Sequence, residues 1–158
     1  MAGNTLEIPR GVTMALTKAG LAIGDGAKTG PAIVSPVGAG VDFVINSIAY
    51  HKADAATVLP LTAATVKPVL TQCLYLICVN AALTVTSVQG TPVLTADITA
   101  GNATLDIPEP LAGTCPIGIV KMTLASTATF TPGTTALDAA NCTATYYDIA
   151  GSLPSRPF

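Results

Sequence analysis

VLTQCLYLICVNAALTVTSV, residues 69–88, is the stretch on which the fold turns. From Pro68 to Ala96 there is no charged residue, and the run is long enough to span a bilayer as a helix. It is nevertheless heavy in Val and Thr, carries Gln72 and Asn80 inside it, and lacks a flanking Lys/Arg cluster. The reading is therefore two buried strands, 69–79 and 83–88, joined near Asn80-Ala81.

Outward from that stretch the pattern stays strand-like. Val41, Phe43 and Ile45 alternate with Asp42, Val44 and Asn46, giving a half-buried strand that runs to about Tyr50. Residues 51–65 are polar and alanine-rich, with one helical turn expected at 54–57, before Pro60. Downstream, Gln89-Gly90-Thr91-Pro92 is a turn. It leads to a strand at 93–99 with Leu94, Ala96 and Ile98 on one face and Asp97 opposite, then one at 104–107 with Leu105 and Ile107 inward. Pro108-Glu109-Pro110 interrupts the sheet, and further strands are expected at 117–124, 128–130 and 142–149. Pro132-Gly133 has the chemistry of a type II turn, with Phe130 and Leu137 folding inward on either side. Short strands separated by Gly/Pro/Asn turns predict an all-β antiparallel β-sandwich or jelly-roll-like domain.

Residues 1–40 read differently. Gly3, Gly11, Gly20, Gly24, Gly26, Gly30, Gly38 and Gly40, with Pro9, Pro31 and Pro36, leave only short extended pieces such as 6–8, 21–23 and 32–34. The expected organisation is an extended N-terminal arm or loop-rich segment over 1–40, a β-sandwich domain over 41–150, and an extended tail over 151–158. An arm could be ordered on a neighbouring subunit, with Leu6, Ile8, Leu21 and Ile23 as its apolar anchors.

Chemistry is sparse in this chain. Ala22 and Ala27 stand where a phosphate loop around Lys28 would need glycine, and Thr29 stands where a dinucleotide fingerprint would need it. His51 is the sole imidazole, beside Asp54 but with no nucleophile motif near it, so it reads as a surface histidine. Asp97, Asp106 and Glu109 read as solvent-side carboxylates. Cys73, Cys78, Cys115 and Cys142 show no C-x-x-C spacing. The N-terminus has neither a basic region nor the roughly 7–15-residue apolar stretch of a signal, so the expectation is folding in a cytosol with the cysteines as buried thiols. No catalytic residue, metal or cofactor is expected, and no enzyme activity.

Charge then becomes the positive clue. Seven basic and nine acidic residues are 10% of the chain, against about 25% in an ordinary soluble domain. With 50% hydrophobic residues, mean hydropathy of +0.59 and no Trp, much of the surface must be neutral. A net charge of -2 with scattered basic residues argues against nucleic-acid binding. A neutral surface of this kind suits contact with other protein.

The Gly-rich 20–40 stretch resembles a tailed-bacteriophage head decoration, or cement, protein. So does the C-terminal run from Ile117-Gly118-Ile119-Val120 through Phe130-Thr131-Pro132-Gly133-Thr134-Thr135 to Thr143-Ala144-Thr145-Tyr146-Tyr147-Asp148. The resemblance implies a non-enzymatic virion structural protein on the capsid surface, made in the host cytoplasm, without membrane or nucleic-acid partners. Its expected partners are the major capsid protein and itself, as a homodimer or homotrimer. Alternative readings are a tail-tube, neck or head-fibre subunit, or an adhesin- or pilin-like binding module.

Overall fold

The computed structural model describes residues 11–56, 59–125, 127 and 129–151. It is an all-β chain of antiparallel sheets, with one short helix among the described residues. Residues 69–88 form its centre. β6 (Thr71–Asn80) pairs antiparallel with β7 (Val85–Gln89) on one side and β9 (Thr114–Leu124) on the other. The link between β6 and β7 is tight: Leu83 takes a φ of 62°, and the Asn80 side chain accepts from Thr84 N–H at 2.9 Å. β10 (Cys142–Asp148) pairs with the far side of β9, and β8 (Val93–Leu94) continues the β7 side of β6. The five-stranded sheet therefore runs β10-β9-β6-β7, with β8 beside β6.

β6 is buried from Thr71 to Val79, so its alternation sorts residues between two cores and leaves none for solvent. Cys73, Tyr75, Ile77 and Val79 face one cluster with Ile117, Val120 and Met122, while Leu74, Leu76 and Cys78 face the other with Ile119. The larger core is closed by strands. β1 (Met14–Ala15), β4 (Val41–Ile45) and β5 (Ile48–Lys52) form a three-stranded sheet. Its Val41, Phe43 and Ile45 enter the larger cluster. β2 (Leu21–Ile23) and β3 (Pro31–Ile33) form a separate hairpin that contributes Leu21 and Ile33. The smaller core is closed mainly by non-strand chain, through Ile98, Leu105, Ile107 and Ile149.

Two glycine-and-proline features explain the shape of β9. Pro116 lies beside an irregularity at which Ile77 pairs Gly118 but Cys78 pairs Pro116, so Ile117 is the extra residue of a bulge. A bulge tolerates the missing N–H of proline. A Cβ on Gly118 would sit 2.3 Å from Leu21 Cδ1, so glycine here leaves room for the β2 side chain to plug the core.

Several local expectations are corrected. The segment 93–99 is not one strand: after Val93–Leu94 the chain turns into α1 (Thr95–Thr99), ended by Gly101 at a φ of 74°. Asp97 in its first turn suits the positive helix end, and Ala and Asp are poor strand formers. The strand expected from 41 to about Tyr50 is a hairpin, because Asn46 and Ser47 both take positive φ, 51° and 66°. No helical turn forms at the described residues 54–56; Ala55 bridges Ile33 instead. Residues 104–107 are irregular, although Leu105 is buried. In 128–130, Ala128 lies outside the described residues and Phe130 forms only an isolated bridge to Lys67.

Candidate assembly surface

The central sheet has two edges, and they are finished differently. On the β7 side, a strap over residues 61–67 lies against the strand. Thr62 N–H donates to Ser87 Oγ at 2.8 Å, and Ser87 N–H donates back to Thr62 Oγ1 at 3.0 Å. With its carboxamide turned to meet complementary partners, Gln89 donates to the Thr65 carbonyl at 3.1 Å and accepts from Lys67 Nζ. Leu61 and Lys67 are buried at the strap's two ends, so it is anchored by side chains as well.

β10 has no such cover. Ala125 N–H donates to Asn141 C=O, and Ile149 N–H to Ile117 C=O, which fixes the phase of the ladder. By antiparallel alternation the main-chain groups of Thr143, Thr145 and Tyr147 bond to β9, and those of Ala144 and Tyr146 point away from it. Among the described strands β9 is β10's only ladder partner; β2 packs beside the strand's far end, where Leu21 N–H donates to Asp148 Oδ1 at 2.9 Å. The strand carries no charge before Asp148 and contains neither proline nor bulge, so the usual devices that blunt an edge are missing.

Beside this edge runs a groove of about 320 Å³, lined by Ile23, Leu137, Asp138, Cys142, Ala144 and Tyr146 among others. The ion pair between Lys28 Nζ and Asp138 Oδ2, at 2.6 Å, ties its outer wall, and Leu137 N–H donates to the Lys28 carbonyl at 2.7 Å. Tyr146 Oη is buried without a hydrogen-bond partner among the described residues. Burial, with Asp138 nearby, pushes its phenol up to about 12, so it stays a proton donor. A buried donor with no acceptor is costly, and an incoming carbonyl or carboxylate would relieve it.

Of the arm anchors named from the sequence, Leu21 is buried in the chain's own core and Ile23 is exposed on the groove wall. Leu6 and Ile8 lie outside the described residues. Pro132 and Gly133 occupy a turn closed by Thr134 N–H to the Thr131 carbonyl at 3.1 Å. Gly133 sits at a φ of 75°, and a Cβ there would meet the Leu61 carbonyl at 2.6 Å. That turn supports the groove from behind through buried Phe130 and Leu137. Sequence reasoning missed Tyr146 and Ala144 as edge residues, since nothing in a sequence states which strand ends a sheet.

Elsewhere the described surface exposes scattered large apolar side chains. Val37 is 80% exposed, and Val12, Val34, Ile48, Val66, Leu70, Leu94 and Leu111 are each about half exposed or more. His51 Nδ1 meets Asp42 Oδ1 at 2.8 Å on the exposed face of the β4–β5 hairpin. The four thiols are unpaired, with Cys73 and Cys78 facing opposite cores. Burial pushes Cys73 and Cys78 up to about 11 and Cys115 up to about 12, which disarms them as nucleophiles. Compared with protein-family models, with curated proteins and with solved structures, the chain finds no match.

Proposed function

We propose that this protein is a non-enzymatic assembly subunit that docks through the β10 edge. The observation that carries the reading is the contrast of an edge strand without charge before Asp148, beside a mainly apolar groove, with an opposite edge strapped shut. An extended segment of a partner would add a strand to β10. Main-chain bonds to Ala144 and Tyr146 would give affinity, and the groove beside Ile23 and Leu137 would take alternate apolar side chains. The three-stranded sheet over one face of the five-stranded one supports a sandwich-like description of the domain carrying this edge.

Within that class, we read the particular protein as a capsid decoration, or cement, protein of a tailed bacteriophage. It would bridge major capsid protein subunits on the outside of the shell. The resemblance of the 20–40 and 117–148 stretches and the charge-poor surface support this reading. A cap that binds the assembled lattice and not its free subunits stabilises the shell by mass action and by avidity over several contacts. The test is to mix the purified protein with undecorated expanded capsids. Stoichiometric binding with a gain in shell heat resistance is the expected result. Indifference to capsids together with self-polymerisation into tubes would move the protein to a phage tail.

A further inference from the structure

Lys67 is buried to 1% exposure, yet among the described residues no carboxylate pairs with it. Its main chain is pinned, donating to the Phe130 carbonyl at 2.8 Å and accepting from Phe130 N–H at 3.2 Å. Its side chain ends on the carboxamide of Gln89, with Nζ donating to Oε1, while Gln89 Nε2 is held by the Thr65 carbonyl. Cys73 closes the same pocket, its thiol donating to the Gly90 carbonyl at 3.2 Å.

An unpaired ammonium in such a place is strongly disfavoured, so the amine is driven toward its neutral, nucleophilic form. Burial lowers the Lys67 pKa, with only the Cys73 thiol opposing. A desolvated lysine whose nitrogen is fixed one hydrogen bond from the oxygen of an amide is a nucleophile beside an electrophile.

We propose that Lys67 and Gln89 form an intramolecular isopeptide bond. The Nζ lone pair attacks Gln89 Cδ, so the Nζ–Cδ bond forms. The Cδ–Nε2 bond breaks, and a proton passes from Nζ to the departing nitrogen, which leaves as ammonia. No oxidant or co-reactant is needed. The step occurs once per chain, so the proximity of the two groups substitutes for a fast catalyst. The product fastens the strap covalently to the end of β7, making the closed edge of the sheet permanent, and removes the buried amine.

The test is the intact mass of the full chain under reducing, denaturing conditions, followed by fragmentation of its peptides. The expected result is a mass lower than the sequence by one ammonia, with a branched peptide joining position 67 to position 89. In Lys67→Arg the full sequence mass should return. A wild-type protein at full sequence mass, or an ammonia loss that maps to another residue or persists in Lys67→Arg, would overturn the proposal. Should Lys67→Arg fail to fold, the wild-type peptide map decides alone, and Gln89→Met serves as the second variant.

Discussion

The strap edge and the open edge belong to one sheet, both carry threonine among less polar residues, and differ in what lies beside them. At β7, two side-chain hydroxyls answer each other's main-chain N–H groups, and a glutamine and a lysine finish the cover. At β10, Ala144 and Tyr146 turn their main-chain groups outward beside an apolar groove. An unprotected edge in a stable protein is a hazard unless something is meant to occupy it. The two edges differ in their cover: one is strapped, and the other keeps outward main-chain groups.

Four experiments can break or sharpen that contrast. The largest effect concerns the buried interior next to the strap. Cys73, Cys78 and Cys115 have folded-state pKa values raised by burial to about 11, 11 and 12. Above about pH 9 the unfolded chain loses these protons and the folded chain keeps them, so stability must fall as pH rises. Lys67 acts in the opposite direction, its lowered pKa favouring folding as pH rises toward 10.5, but it is one group against the three thiols and the buried phenols of Tyr75 and Tyr146, whose pKa values are also raised, and an isopeptide bond would remove it. Urea unfolding between pH 8 and pH 11 should show a loss on the order of several kcal/mol, smaller in Cys73→Ala. A flat profile would mean the thiols are wet.

Next in size is Thr145→Glu on the open edge. Thr145 stands opposite Lys121 on β9, so a carboxylate there gains a cross-strand partner and leaves folding stability intact. It also puts a charge on the docking edge. Capsid binding should fall about a hundredfold, as a desolvated charge costs several kcal/mol at an interface. Equal binding by the variant would mean that β10 is not the contact.

A third change attacks the strap. Replacing Thr62 and Ser87 together with Ala removes both reciprocal bonds, at about 1 kcal/mol each. Denaturant midpoints should drop accordingly, and sedimentation should reveal new self-association through the uncovered β7. Self-association without any loss of stability would show that the strap covers but does not hold.

The smallest effect is chemical. Cys142 is the half-buried thiol, lining the groove, whereas the other three are buried. A thiol reagent should modify Cys142 first in the free protein and more slowly once a partner occupies the edge. Simultaneous labelling of all four would contradict the burial described.

Much of the sheet was legible because its signals are local. The uncharged 69–88 stretch reads as two buried strands, and it became β6, buried over almost its whole length, and the largely half-buried β7. The alternation at Val41, Phe43 and Ile45 likewise survives as a buried face of β4. The misreadings come where pattern and chain reversal compete. Alternation at 93–99 is too short to separate a strand from a single helical turn, and Asn46-Ser47 lacks the glycine that usually announces a hairpin. Pro116 concealed the first residues of β9, since a bulge that admits proline leaves no mark in sequence. The candidate site was the least legible part. Edge position follows from strand order, and the strap depends on a pairing between Thr62 and Ser87 that only the folded chain brings together.

The most direct measurement of the central claim is hydrogen–deuterium exchange at the amides of Ala144 and Tyr146, in the free protein and on saturated capsids. Fast exchange when free and strong protection when bound are expected, with Ser87 under the strap slow in both. Bound protein whose Ala144 and Tyr146 amides exchange as fast as in the free state would contradict it.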